Sequence, residues 1–249
     1  MTLQIFPDYD ALSAATAAAI AAVVRSKPEA VLCLASGNTP EGTYRHLVRM
    51  AADGDPDFSR CTFIGLDEWV GISPDNPGSC FHAVNEALFK PLGISPKNIH
   101  FFNALADDLT AQCQRLDDTL TLLGGLDLIL LGVGENGHLA LNEPGTPWHL
   151  GCHVVELAES TKTVGQKYFR ESTPLMQGVT VGLRHVREAR QAILIASGEK
   201  KAGVLRRALE DSPTEAVPAS LFQTLDHGWV LLDEVAAKEL KVGNENSPI

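Results

Sequence analysis

Three groups of residues in this chain carry side chains suited to moving protons or holding an anion. The first is His138 with Glu143, five positions apart in the stretch LDLILLGVGENGHLALNEPGTP, residues 126–147. An imidazole accepts and releases protons near neutrality, and a carboxylate close by raises its pKa and fixes its orientation. The second is Asp67-Glu68 in LDEWVG. Side chains alternate along a strand, so at most one of these acids faces a given crevice. A pair of solvated loop acids is the plain alternative. The third group is small-polar and cationic: Ser36-Gly37-Asn38-Thr39-Pro40, and Ser197-Gly198-Glu199-Lys200-Lys201. A small polar turn that opens a helix leaves backbone N–H groups free for an anion, although such turns also need Ser, Gly and Pro for conformational reasons alone. A lysine at a helix start opposes the macrodipole and makes sense once an anion sits beside it. Lys201 suits that role, and Lys200 suits a solvated surface.

Each group follows a short apolar run. Residues 126–131, 30–35, 61–66 and 191–196 are too short for globular helices and rich in branched aliphatics, which reads as strands buried on both faces. Ligands of open parallel sheets bind beyond the carboxyl ends of the strands. If these strands are parallel neighbours, Ser36 to Thr39, Asp67, Gly137 to Glu143 and Lys201 meet at one rim. A rival reading is nucleotide binding, because Gly132-Val133-Gly134-Glu135-Asn136-Gly137 is a literal G-x-G-x-x-G with Glu156 about 20 residues beyond it. That fingerprint requires a helix to begin inside the glycine turn. Here the chain runs into Asn142-Glu143-Pro144-Gly145-Thr146-Pro147, which cannot continue one.

The remaining elements alternate. Helices are expected at 9–25 with Asp10 as N-cap, 41–50, 81–90, 107–123, 159–171, from Ser197 to about 209, and 235–240. Further strands are expected at 98–102, 153–157, 178–183 and 229–232. No internal repeat or linker interrupts them. The expectation is one α/β domain over residues 1–249, a doubly wound, mainly parallel sheet with helices on both faces in a modified Rossmann-like arrangement.

An apolar fraction of 45% against 20% charged residues is ample for a large core. The net charge of −11 argues against nucleic acid and anionic membranes as partners. An anionic small substrate then has to be held by a few placed cations and backbone amides. The five cysteines, Cys33, Cys61, Cys80, Cys113 and Cys152, are scattered without C-x-x-C spacing, so neither a disulfide framework nor a zinc site is expected. The N-terminus lacks a basic region followed by an apolar core, and no run reaches membrane-spanning length, so a soluble cytoplasmic protein is expected.

Taken together, SGNTP, LDEWVG, GVGENGHLALNEPG and SGEKKA, in this order and with these separations, resemble the glucosamine-6-phosphate deaminase (isomerase) family, including its galactosamine-6-phosphate branch. The similarity spans nearly the whole chain, and the G-H-x-A-x-N-E-P core is its most specific part. A sister family, the 6-phosphogluconolactonases, shares the fold but typically carries Asp-Glu-Arg and Gly-His-Thr-Ala-Ser-Leu-Phe-Pro where this chain has Asp67-Glu68-Trp69 and Gly137-His138-Leu139-Ala140-Leu141-Asn142-Glu143-Pro144. Trp69 removes a cation suited to a second substrate carboxylate, and Glu143 adds an acid.

The resemblance implies that Asp67 shuttles a proton, that His138 opens the sugar ring and that Glu143 orients His138. It implies phosphate contacts from Ser36, Gly37, Asn38, Thr39 and Lys201. Two positions depart from the family pattern. Asn136 stands where an acid is often found, which leaves a His–Glu pair steadied by an amide. Lys167 stands where an arginine is expected, which offers a point charge in place of a bidentate fork. The implied reaction is aldose–ketose isomerisation with loss of the C2 amine as ammonia, on a small-molecule sugar phosphate, with no cofactor or metal required. A homo-oligomer is left open. Trp69, Lys167 and the short C-terminus lean toward the galactosamine branch. The alternatives are a lactone hydrolase on the same scaffold and a non-catalytic sugar-phosphate sensor.

Overall fold

The computed structural model describes residues 1–241. In chain order the elements are β1 (Thr2–Phe6), α1 (Tyr9–Ser26), β2 (Val31–Leu34), α2 (Asn38–Ala52), β3 (Thr62–Ile64), β4 (Asp67–Trp69), α3 (Cys80–Val84), β5 (Ile99–His100), α4 (Leu109–Leu123), β6 (Leu128–Leu131), β7 (His153–Glu156), α5 (Glu159–Gly165), β8 (Gln177–Thr180), α6 (Leu183–Glu188), β9 (Ala192–Ala196), α7 (Ala202–Glu210), β10 (Gly228–Asp233) and α8 (Glu234–Ala237). Seven strands form a sheet in the order β1-β10-β9-β6-β2-β3-β5, with every neighbouring pair parallel. From β2 the chain moves outward through β3 and β5, then returns to the other side of β2 as β6. The direction of winding therefore reverses between β2 and β6, and such a switch point opens a crevice at the carboxyl rim.

Alternation along the strands divides the core into two faces. Val31, Cys33, Ile129, Leu131 and Leu194 pack with Leu116 and Leu120 of α4 and Leu205 of α7. Leu32, Leu34, Leu128, Leu130, Ile193 and Ile195 pack with Leu12 and Ile20 of α1 and Tyr44 and Leu47 of α2. Burial on both faces is why these strands read as unbroken aliphatic runs. At the amino rim, the buried Asp127 carboxylate accepts from Val31 N at 2.8 Å and Lys27 Nζ at 2.7 Å, with Arg190 Nη1 at 3.1 Å. That ion cluster holds the start of β2 against the lead-in to β6.

The parallel, two-faced sheet is as expected, but several segments differ. Residues 61–66 do not run straight into Asp67. Gly65 N still donates to His100 O in the main sheet at 2.8 Å, while Leu66 O accepts from Val181 N at 2.8 Å. The chain changes sheets there, and β4 pairs antiparallel with β8, and β8 with β7, in a second sheet of three strands. The 178–183 run stops at Thr180, and Leu183 opens α6. The helix expected at 159–171 ends at Gly165 and tightens into a 3₁₀ turn, Gln166–Tyr168. Asp8, not Asp10, caps α1, accepting from Ala11 N at 2.8 Å. Asp10 instead meets His46 Nε2 of α2 at 3.0 Å. The edge strand β1 had no signal, since its residues are mostly exposed and lack a buried face. No helix among the described residues is long and apolar enough to cross a membrane.

Candidate active site

A cleft of about 200 Å³ opens at the carboxyl rim over the β2/β6 switch point. Ser36, Gly37, Asn38, Thr39, Asp67, Asn136, His138, Lys167 and Lys201 all line it. Glu143 does not reach the cleft surface and stands behind His138, 7% exposed.

Asp67 and Glu68 divide as strand alternation requires. Glu68 turns inward, and its carboxylate accepts from Trp69 N and Cys80 N on Oε1, both at 3.0 Å, and from Ser79 Oγ at 2.6 Å and Phe81 N at 2.9 Å on Oε2. It thereby holds the first turn of α3 against β4. Asp67 faces the cleft with 8% of its surface exposed. Burial is the main force raising its carboxyl to about 7, partly opposed by the Cys80 thiol and reinforced by the neighbouring Glu68 charge. A carboxyl that titrates near neutrality can both take and return a proton there.

His138 sits on a loop folded back on itself. Gly137 N donates to Gly134 O and Gly134 N to His138 O, each at 3.0 Å, and His138 N donates to Asn136 Oδ1 at 3.1 Å. The imidazole lies flat against Gly134, where a Cβ would come within 2.4 Å of Cε1 and Nε2. That close approach explains a glycine at position 134 better than nucleotide binding does. No helix follows the glycine turn, and Leu139 instead forms an isolated bridge to Asn142. Asn142 is fully buried and clamps the loop to the residue just past β8, donating to Leu139 O and Val181 O at 2.9 Å.

Glu143 accepts from Asn136 Nδ2 at 2.7 Å and from Ala158 N at 3.1 Å. Its Oε2 is 3.7 Å from His138 Nδ1, an ion-pair distance longer than a hydrogen bond. Glu143 thus stands beside the ring, beyond direct hydrogen-bond reach of it. Burial works against the Glu143 charge, but His138, the Thr161 hydroxyl and the Ala158 amide outweigh it and hold the carboxyl down at about 2.

At the same cleft, α2 begins at Asn38, three residues earlier than the sequence pattern suggests, behind Gly37 at φ 98°. No side chain caps this N-terminus, so its amides remain available to an anion. Tyr168 Oη lies 3.0 Å from where a Gly37 Cβ would stand. Lys201 Nζ donates to Val133 O at the end of β6, at 2.8 Å. Burial lowers the Lys201 pKa; Glu135 opposes this, and the Lys167 and Lys200 charges add to it. Lys200 itself is exposed and does not line the cleft. Lys167 Nζ sits 4.8 Å from the Tyr168 ring centroid, in cation–π range.

Cys80, Thr161 and Tyr168 also line the cleft, and nothing in the sequence pattern singled them out. Thr161 is one of three hydroxyls in Glu159-Ser160-Thr161-Lys162-Thr163, and only folding selects the one facing His138. Elsewhere, Asp117, Cys152 and His185 bring an oxygen, a sulfur and a nitrogen within 4.8 Å of one another. Asp117 is already engaged by His185 Nε2 at 2.5 Å, Cys152 N at 3.0 Å and Arg184 Nη2 at 3.1 Å. This knot joins α4 to α6 and the lead-in to β7, away from the cleft.

A doubly wound α/β protein whose rim cleft gathers titratable side chains, two lysines and an uncapped helix start is the class that fold and site define. The chain belongs to the family of glucosamine-6-phosphate isomerases and 6-phosphogluconolactonases, whose model matches residues 8–231. It is 40% identical over 231 residues to a glucosamine-6-phosphate deaminase of Bacillus velezensis, covering 92% of this chain and 95% of that one. It superposes on a solved monomeric glucosamine-6-phosphate deaminase with a TM-score of 0.93 at 36% identity, covering 96% of this chain and all of the other. A 6-phosphogluconolactonase from Trypanosoma brucei shares the fold with a TM-score of 0.76 at 22% identity, over 96% of this chain and 98% of that one.

Proposed function

We propose that this chain converts an amino-sugar 6-phosphate and water to the ketohexose 6-phosphate and ammonia: glucosamine 6-phosphate to fructose 6-phosphate, or galactosamine 6-phosphate to tagatose 6-phosphate. The observation that carries this reading is that Asp67, its carboxyl raised to about 7, shares one cleft with His138, Lys167, Lys201 and the uncapped start of α2. The chain acts as one sugar-phosphate isomerase/deaminase domain.

The phosphate binds the α2 amides, Lys201 and Lys167, and serves as a remote handle that positions the reacting carbons. His138 takes the anomeric hydroxyl proton and delivers it to the ring oxygen. The C1–O5 bond breaks and the C1 aldehyde forms. Asp67 then removes the C2 proton while O1 takes a proton from the C2 ammonium, giving the enolamine. Asp67 returns the C2 proton to C1 to leave a protonated C2 imine and a C1 hydroxymethyl. The resulting C2 imine adds water and expels ammonia. Asn136 and Glu143 hold the His138 loop in place during these steps. The match to relatives named glucosamine-6-phosphate deaminases supports the reading, and it makes glucosamine 6-phosphate the first substrate to try.

The deciding experiment is ammonia release measured side by side from glucosamine 6-phosphate and galactosamine 6-phosphate, with acid release from 6-phosphogluconolactone as the third arm. Ammonia from one or both sugars is expected. Acid from the lactone with no ammonia from either sugar sinks the reading.

A further inference from the structure

The Glu143 carboxylate is too far from His138 to set its tautomer directly, and both of its oxygens are engaged elsewhere, Oε1 by Ala158 N and Oε2 by Asn136 Nδ2. The group that does reach the ring is the Thr161 hydroxyl, whose Oγ1 lies 3.2 Å from Nδ1. Thr161 is 5% exposed and lines the cleft. Among the described residues, Nε2 of the same ring has no hydrogen-bond partner, which leaves it for substrate.

We propose that Thr161 is a positioning residue for ring opening: its hydroxyl accepts the Nδ1 proton of His138 in a hydrogen bond and donates its own toward Glu143, which keeps Nε2 free as the base. This rests on the ring-opening role given to His138 above. A hydroxyl can accept and donate at once, which neither the Asn136 amide nitrogen nor the Glu143 carboxylate can do. In the step itself, Nε2 takes the O1 proton, C1=O1 forms as C1–O5 breaks, and Nε2 returns that proton to O5. The transient imidazolium charge is shared through the Thr161 hydroxyl with Glu143, and no proton is consumed. Thr161 also belongs to the segment that carries Lys167 six residues on, and that segment is tied to Glu143 through Ala158 N. Docking of the phosphate-facing segment and tautomer control at His138 therefore depend on the same short stretch.

The test compares Thr161→Val, Thr161→Ser and the parent by three readouts: ring-nitrogen NMR of His138, the pH profile of kcat/KM for ammonia release, and binding of an open-chain amino-alditol 6-phosphate. In the parent the His138 ring is expected in the Nδ1–H tautomer. Thr161→Val should lose that preference, shift the pH profile, and lower kcat/KM by about ten- to a hundredfold with analogue binding within about twofold of the parent. Thr161→Ser should restore the tautomer and most of the rate. A valine variant with the parent's tautomer and pH profile, or a serine variant as damaged as the valine one, overturns the proposal. Absence of ammonia release from the parent would count against the function reading instead, and the NMR comparison still decides the role of Thr161.

Discussion

Asp67 and Glu68 are neighbours in β4, yet Glu68 receives four hydrogen bonds from Trp69, Ser79, Cys80 and Phe81 while Asp67 receives none of these and faces the cleft. One carboxylate builds the wall that the other projects from. Glu68→Ala strands three backbone donors and the Ser79 hydroxyl in a site where the carboxylate is only 3% exposed. At about 1–3 kcal/mol for each buried group left unpaired, softened by relaxation, the cost should be roughly 3–5 kcal/mol. Urea denaturation checks this, and Glu68→Gln should lose clearly less than the alanine variant.

Asp67 sets a pH dependence in two observables. Its folded pKa lies above the ordinary carboxylate value, so the stability it allows is fully present below pH 3.8 and is lost as pH rises through about 7. The unliganded protein should therefore lose stability across that window, by at most on the order of 4 kcal/mol. Asp67→Asn should flatten the curve and raise the melting temperature at pH 7.5 while nearly abolishing turnover. In the parent, kcat/KM should rise with pH and level off above about 7, as the base ionises. An equally steep stability curve in the Asp67→Asn variant would remove this residue as the source.

Two adjacent lysines should behave differently. Lys201 lines the cleft and is anchored to Val133 O, whereas Lys200 is exposed. Lys201→Ala should raise KM for the phosphorylated sugar by about ten- to a hundredfold through loss of a charge-assisted contact. Lys200→Ala should leave KM within about twofold. Steady-state kinetics of the two variants decide it, and a larger effect at Lys200 contradicts the assignment.

Gly134 gives a steric test of the imidazole position. A methyl group there falls 2.4 Å from the His138 ring, and the backbone at 134 is not in the left-handed region. Gly134→Ala should thus act by displacing the ring and not by straining the loop. Turnover should fall at least about tenfold, with thermal stability changed by less than about 1 kcal/mol. Kinetics read beside calorimetry separate the two effects.

The amino-acid sequence by itself determined the parallel sheet, because strands buried on both faces must be continuous aliphatic runs, and 30–35, 126–131 and 191–196 are such runs. It also determined which polar turns leave those strands, and so the presence of Ser36 to Thr39, His138 and Lys201 at one rim. What it left open lies where contacts are long-range. Residues 61–66 read as one run, yet the chain changes sheets at Gly65-Leu66, because β8 supplies a partner for Asp67 that lies more than a hundred residues away in sequence. The sequence shows His138 and Glu143 five residues apart, but only the fold engages the carboxylate with Asn136 and Ala158 and sets it 3.7 Å from the ring. Thr161 became the ring's partner only when α5 packed over the His138 loop. A hydroxyl carries no periodicity and no charge to mark it in the sequence, so tertiary packing alone made the choice.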